Sequence, residues 1–156
     1  MQRRLILQMS SALLGSTALF GANASALTYP TVEVWKTATC GCCHDWVDHM
    51  QANGFKVVTH DVSEVDKAAK RASVGIPAQL GSCHTAQVNG YALEGHVPAS
   101  DVHRLLKERP KAAGLTVPGM PIGSPGMDGP VYGGRQDKYA TLLVLRDGRS
   151  SVFQAH

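Results

Sequence analysis

Thr31-Val32-Glu33-Val34-Trp35-Lys36-Thr37-Ala38-Thr39-Cys40-Gly41-Cys42-Cys43 is the stretch on which the fold turns. Its first six residues alternate apolar and polar side chains, and Val, Thr and Trp favour a half-buried strand. Thr39 then stands where a helix N-cap is expected. From Cys42 to Ala52, Cys43, Trp46, Val47 and Met50 recur at helical spacing. Asn53-Gly54 is a helix stop. The unit is strand, cysteine turn, helix, with three thiols at the bend.

Working outward, Phe55 to His60 reads as a second strand and Val62 to Ala72 as a polar helix capped by Ser63. Two strands joined through a helix run parallel. Beyond Val74-Gly75-Ile76-Pro77, the runs Cys83 to Val88 and Tyr91 to Glu94 flank Asn89-Gly90, the signature of a type I′ hairpin. Pro98 opens and Pro110 ends a helix over Ala99 to Glu108, apolar at Val102, Leu105 and Leu106. From Gly114 to Gly134 the chain is rich in Gly and Pro without periodicity, so a long surface loop is expected. Tyr139 to Leu145 and Ser151 to Gln154, joined through Asp147-Gly148, predict a terminal hairpin. The order calls for an α/β fold, a mixed sheet between helices in three layers.

Before this domain, Arg3 and Arg4 precede an apolar run from Leu5 to Ala22 that leads into Ala24-Ser25-Ala26, the form of a cleaved export signal. Cleavage is expected after Ala26, with Ala24 as the alternative, making residues 1–26 a leader and 27–156 the folded domain. A membrane anchor is the competing reading, but Gln8, Ser10, Ser11, Ser16 and Thr17 interrupt the run. Removing the leader leaves roughly 130 residues, enough for one domain with a core. The formal charge of +3 includes both leader arginines, so the remainder is nearly neutral. With no basic stripe, nucleic-acid binding is excluded, and no strand-to-helix glycine fingerprint supports phosphate binding.

Four cysteines in an exported chain ordinarily mean two structural disulfides. Here three fall within Cys40-Gly41-Cys42-Cys43, and a staple closing so short a loop removes little unfolded-state entropy. Thiols at the start of a helix face free N–H groups and the positive end of the dipole, which favours thiolate. Cys40 and Cys43 have the Cys-x-x-Cys separation of redox pairs, while Cys42 is one thiol more than that chemistry needs.

The chain resembles the thioredoxin and glutaredoxin fold, and more closely the exported copper-resistance proteins of the CopG type. The likeness rests on Cys40-Gly41-Cys42-Cys43, Ser82-Cys83-His84-Thr85-Ala86, Glu94-Gly95-His96-Val97-Pro98 and Pro118-Gly119-Met120-Pro121-Ile122-Gly123-Ser124-Pro125-Gly126-Met127. It implies a thioredoxin-like sandwich and a role in copper handling. In glutaredoxin-like domains the pair facing the active cysteines lies just upstream of a strand running into Asn-Gly. Counting back from Asn89-Gly90 puts Cys83-His84 there, with Pro77 the more distant rival, so Cys83 is expected to complete a four-sulfur pocket.

Soft thiolates suit copper(I), zinc or an iron-sulfur cluster rather than calcium or magnesium. Four-cysteine zinc sites usually draw on two separated knuckles, whereas adjacent Cys42 and Cys43 diverge, which bridging in a polynuclear copper(I) cluster tolerates. Cys42 or Cys43 as a small buried hydrophobe is the plainer reading. His44 and His84 follow cysteines and are candidate additional ligands, while His49, His60, His96 and His103 are read as structural. Met120 and Met127 are candidates for capping the metal or passing it on, against the alternative of filling apolar gaps. Two functions stay open. One is a periplasmic copper(I) carrier without turnover, which exchanges copper with a periplasmic carrier or redox protein. The other is a thiol-disulfide or copper-linked oxidoreductase using Cys40 and Cys43.

Overall fold

The computed structural model describes residues 29–156, so the expected leader at 1–26 lies outside the described residues. Seven strands form one mixed sheet, ordered β2-β1-β3-β4-β5-β6-β7. They span Val32–Lys36 (β1), Val57–Asp61 (β2), Thr85–Val88 (β3), Tyr91–Glu94 (β4), Gly114–Thr116 (β5), Ala140–Val144 (β6) and Ser150–Ala155 (β7). The helices are Gly41–Ala52 (α1), Glu64–Ser73 (α2) and Ala99–Glu108 (α3). None of the described helices is long and apolar enough to cross a membrane.

Strand alternation sorts the side chains of β1 onto two faces. Val32 and Val34 enter the main core, where Trp46, Val47 and Met50 of α1 and Val102 and Leu105 of α3 pack with Val88, Leu93 and Leu115. Trp35 takes the other face, and the Lys70 ammonium of α2 lies 3.6 Å above its ring. Helices thus cover both faces, as the order of elements requires. Trp46 is fully buried, and its indole N–H donates to the Val97 carbonyl at 2.9 Å.

Several local expectations hold in detail. β1 and β2 are parallel. Ser63 caps α2, its hydroxyl accepting from the Asp66 amide. Asn89 and Gly90 have φ of 47° and 82°, the double positive of a type I′ turn. Thr39, however, does not cap α1. Cys40 is the N-cap residue and no side chain accepts from the first turn, so the helix opens with its N–H groups uncommitted.

The larger correction concerns Gly114 to Gly134. Its first three residues form β5, wholly buried, parallel to β4 on one side and antiparallel to β6 on the other. The terminal hairpin therefore extends the same sheet. Three residues are too few to display a period, and this strand is called up by its neighbours. Nor does the remaining loop lie entirely on the surface, because Ser124, Pro125, Gly126 and Met127 are buried.

Gly114 is where β5 meets β4 most closely, since a Cβ there would stand 1.9 Å from the Ala92 carbonyl oxygen. Gly114→Ala should therefore lower unfolding stability by about 1–3 kcal/mol or more, as overpacking against backbone does. Gly129→Ala, with nothing within 4 Å of the new Cβ, should leave it nearly unchanged. Urea unfolding of the two variants checks the contrast.

Candidate metal centre

The antiparallel pairing of β1 with β3 decides the site. Trp35 opposes Thr85, so the residues following β1 and those preceding β3 emerge at the same end of the sheet. Cys40, Cys42 and Cys43 begin α1 there, and Cys83 stands across from them. The four sulfur atoms all lie within 4.8 Å of one another. Cys42 Sγ is 3.7 Å from Cys40 Sγ and 4.0 Å from Cys83 Sγ. Cys43 is fully buried, and its sulfur is 3.7 Å from the Cys83 carbonyl oxygen. Pro77, the rival for this position, instead precedes a short 3₁₀ turn at Ala78–Leu80.

The sulfurs are not equivalent. Cys40 and Cys43 are joined as a disulfide, with Cα atoms 5.3 Å apart, leaving Cys42 and Cys83 as free thiols. The picture of four simultaneous thiolates thus describes the reduced protein only. One helical turn between Cys40 and Cys43 puts their Cα atoms within normal bridging range, so the Cys-x-x-Cys pair can close without disturbing Cys42.

Cys83 also belongs to a second group, with His84 and His96, whose ligating atoms again lie within 4.8 Å of one another. His96 Nε2 is 2.9 Å from Cys83 Sγ, and His84 Nδ1 is 3.4 Å away. Both imidazoles are completely buried. His96 Nδ1 is 2.8 Å from the Pro125 carbonyl, which only accepts, so Nδ1 carries the proton and Nε2 turns its lone pair to Cys83. His84 Nε2 is buried without a hydrogen-bond partner among the described residues.

Burial dominates the titration of this group. It holds His84 well below the ordinary imidazole range, with His96 and Lys67 adding to the effect, and it also lowers His96. Both rings are therefore neutral at neutral pH and able to ligate. Burial, followed by the neighbouring Cys42, pushes the Cys83 thiol up to about 12, against a smaller pull downward from Lys67. Without a metal Cys83 keeps its proton, and a soft cation must displace it on binding.

His84 thus stands where a supplementary ligand was expected, but His44 does not. His44 is exposed, and its Nε2 meets the Lys36 ammonium at 2.7 Å, with Asp61 on that same ammonium at 2.7 Å. His49 and His103 serve as structural groups, His49 accepting from the Ala99 amide and His103 contacting the Asn53 carbonyl. His60 likewise pairs with Glu33. His96, read as structural from the sequence, also comes within ligating distance of Cys83. The hairpin held the signal: the Thr85–Glu94 register, continued two positions, sets Cys83 opposite His96.

Met127 is buried, and its thioether accepts from the Tyr132 hydroxyl at 3.3 Å, while Met120 is exposed. The loop carrying them is docked at two points. Gly119 donates to the Gly81 carbonyl and accepts from the Ser82 hydroxyl beside Cys83. Gly126 has φ +85°, and a Cβ there would meet the Cys42 carbonyl oxygen at 2.6 Å and the Trp46 amide nitrogen at 2.9 Å. Only glycine lets the loop lie so close to the first turn of α1.

A family model described as "Protein of unknown function, DUF411" matches residues 80–127, the span holding Cys83, His84, His96, Met120 and Met127. Two solved structures, titled "Copper resistance protein copG- Form 1" and "Copper resistance protein copG- Form 2", are 43% and 44% identical. Each match has a TM-score of 0.74 and covers 82% of this chain and 98% of the other. No curated protein gave a match.

The disulfide predicts a thiol count. In the oxidised protein, once unfolded, two thiols should react per chain, and peptide mapping should assign them to Cys42 and Cys83. Full reduction should raise the count to all four cysteines. A native Cys42–Cys83 link would contradict the arrangement.

Proposed function

The chain belongs to the CopG family of copper resistance proteins, and on that premise we propose that it is a periplasmic copper(I)-binding protein of copper homeostasis. It holds copper in a thiolate cluster for sequestration or transfer. Cys40, Cys42, Cys43 and Cys83 are the sulfur ligands, with His84 and His96 on the buried side. The supporting observation is one sulfur with two roles: Cys83 closes the four-sulfur group and lies within ligating reach of both imidazoles. Bridging of that kind suits more than one copper(I) per site, since thiolates span adjacent soft ions and imidazole completes their coordination.

The donor set fits this cargo. Four sulfurs and two neutral imidazoles offer no hard oxygen ligand, which disfavours calcium and magnesium, and six donors exceed what one tetrahedral zinc uses. Secretion on the leader read at residues 1–26 belongs to the same proposal, as does exchange of copper with another periplasmic carrier or redox protein. Met120 and Met127, in the loop docked over the site, would cap the metal or hand it on.

A second reading is favoured by the Cys40–Cys43 disulfide itself. In a thiol-disulfide exchange the half-buried Cys40 thiolate attacks a partner disulfide, expelling one partner sulfur as a thiol. Buried Cys43 then resolves the mixed disulfide. Two electrons and two protons pass to the partner, and the pair ends as the disulfide. Disulfide reduction that persists at full rate after complete copper removal would favour this reading over a carrier.

Titrated anaerobically after reduction, with a chromophoric chelator as competitor, the protein should take up more than one copper(I) per chain. Cys83→Ser should sharply lower that number, because it removes the sulfur common to both donor groups. His96→Ala should weaken binding while leaving the thiol count intact. X-ray absorption on the loaded protein should show sulfur-dominated coordination with a short metal–metal vector. An uptake unaffected by Cys83→Ser would refute the four-sulfur site.

A further inference from the structure

Glu94 is the least expected group near this site: a carboxylate with no solvent exposure, at the end of β4. Isolated buried carboxylates are costly, so its contacts need a reason. One oxygen accepts from the Ser82 amide at 2.7 Å, and the other accepts from the Thr85 hydroxyl at 2.6 Å. Those two residues bracket Cys83 and His84. Arg71 of α2 approaches the first oxygen at 3.5 Å and supplies the balancing charge.

The segment between the brackets is tied from other sides too. Lys67, the one buried residue of α2, donates to the Cys83 carbonyl at 2.9 Å while pairing with Glu64 at 2.8 Å. The Gly95 amide donates to the His84 carbonyl at 2.9 Å. These bonds bind backbone and a hydroxyl, leaving the Cys83 sulfur and both imidazoles untouched.

We propose that Glu94, assisted by Lys67, is a positioning residue that clamps the Ser82–Thr85 turn and so holds Cys83 against Cys42 and His96 before any metal arrives. The importance of this clamp for copper rests on the reading given above. The clamp itself is a property of the metal-free chain. Both ends of the bracket are short-range bonds to one rigid carboxylate, so losing either frees the turn that carries Cys83. A preset turn spares the metal the work of ordering its own ligands.

The test starts from metal-free oxidised protein, in which the free thiols are Cys42 and Cys83. Alkylation of each by iodoacetamide is followed by mass spectrometry. In Glu94→Ala the Cys83 rate should rise about tenfold, the scale of one lost buried hydrogen bond, with the Cys42 rate nearly unchanged. Glu94→Gln also removes the charge but keeps an acceptor for the Ser82 amide and a donor toward Thr85, so it should restore a rate close to the original. Thr85→Val removes one arm with little change of shape, and should give a smaller rise confined to Cys83 should the alanine variant not fold. Equal acceleration of both thiols, no change in either, or a rise in Glu94→Gln as large as in Glu94→Ala would overturn the clamp. In the reduced protein, copper(I) affinity should follow the same order, lost in Glu94→Ala and kept in Glu94→Gln. Selective exposure of Cys83 in a chain that takes up no copper would leave the clamp standing and overturn the copper reading instead.

Discussion

Everything at the sulfur end depends on the antiparallel pairing of β1 with β3, where Trp35 opposes Thr85. Parallel β2 alone would leave the cysteine turn facing open solvent, because β2 points the same way as β1 and begins at the other end of the sheet. An antiparallel neighbour starts where β1 stops. The segment just before β3 is therefore carried to the cysteines, and the tight Asn89-Gly90 turn brings β4 back to the same end with His96 beyond it. Long-range contact among residues 40, 83 and 96 thus follows from three strands and one two-residue turn.

The chemistry has an outside and an inside. Toward solvent stand half-buried Cys40 and Cys42, beside the uncommitted N–H groups that open α1. Inward stand fully buried His84 and His96, kept neutral by desolvation. Cys83 joins the two regions. Its thiol holds its proton in the absence of metal, so a cation supplies the charge that makes the thiolate favourable. The buried charged groups near this interior are paired: Lys67 with Glu64, Lys36 with Asp61, Glu94 with Arg71. Each pair also fixes a backbone or side-chain position, which gives the buried charges a use beyond their modest net stability.

The Gly/Pro/Met-rich loop completes the enclosure. It contacts the Ser82 turn through Gly119 and the first turn of α1 through Gly126, and its Pro125 carbonyl sets the His96 tautomer. A loop whose one regular element is a 3₁₀ turn at Pro130–Tyr132 is thereby held to the site largely by backbone contacts, and at Gly126 the approach leaves no room for a side chain. It also places Met127 inside the protein, with its sulfur engaged by Tyr132, and leaves Met120 outside.

Local chemistry in the sequence was enough to determine the strand-turn-helix unit, the Ser63 cap, the I′ hairpin, the bounds of α3 and the grouping of the cysteines. Each depends on residues within a few positions of one another, or on a periodicity long enough to count. Recognising Cys83 as the fourth sulfur required the family likeness as well. Tertiary structure alone decided that β5 exists, that His44 turns to Lys36 instead of the sulfurs, and that Glu94 is buried as the brace of the Cys83 turn. Those outcomes depend on which surfaces meet after folding. A three-residue strand, an imidazole's direction and a buried carboxylate's partners are set by neighbours distant in the chain, which no local pattern encodes. His96 lies between the two cases, legible in principle from the hairpin register and visible in practice only once β3 and β4 are paired.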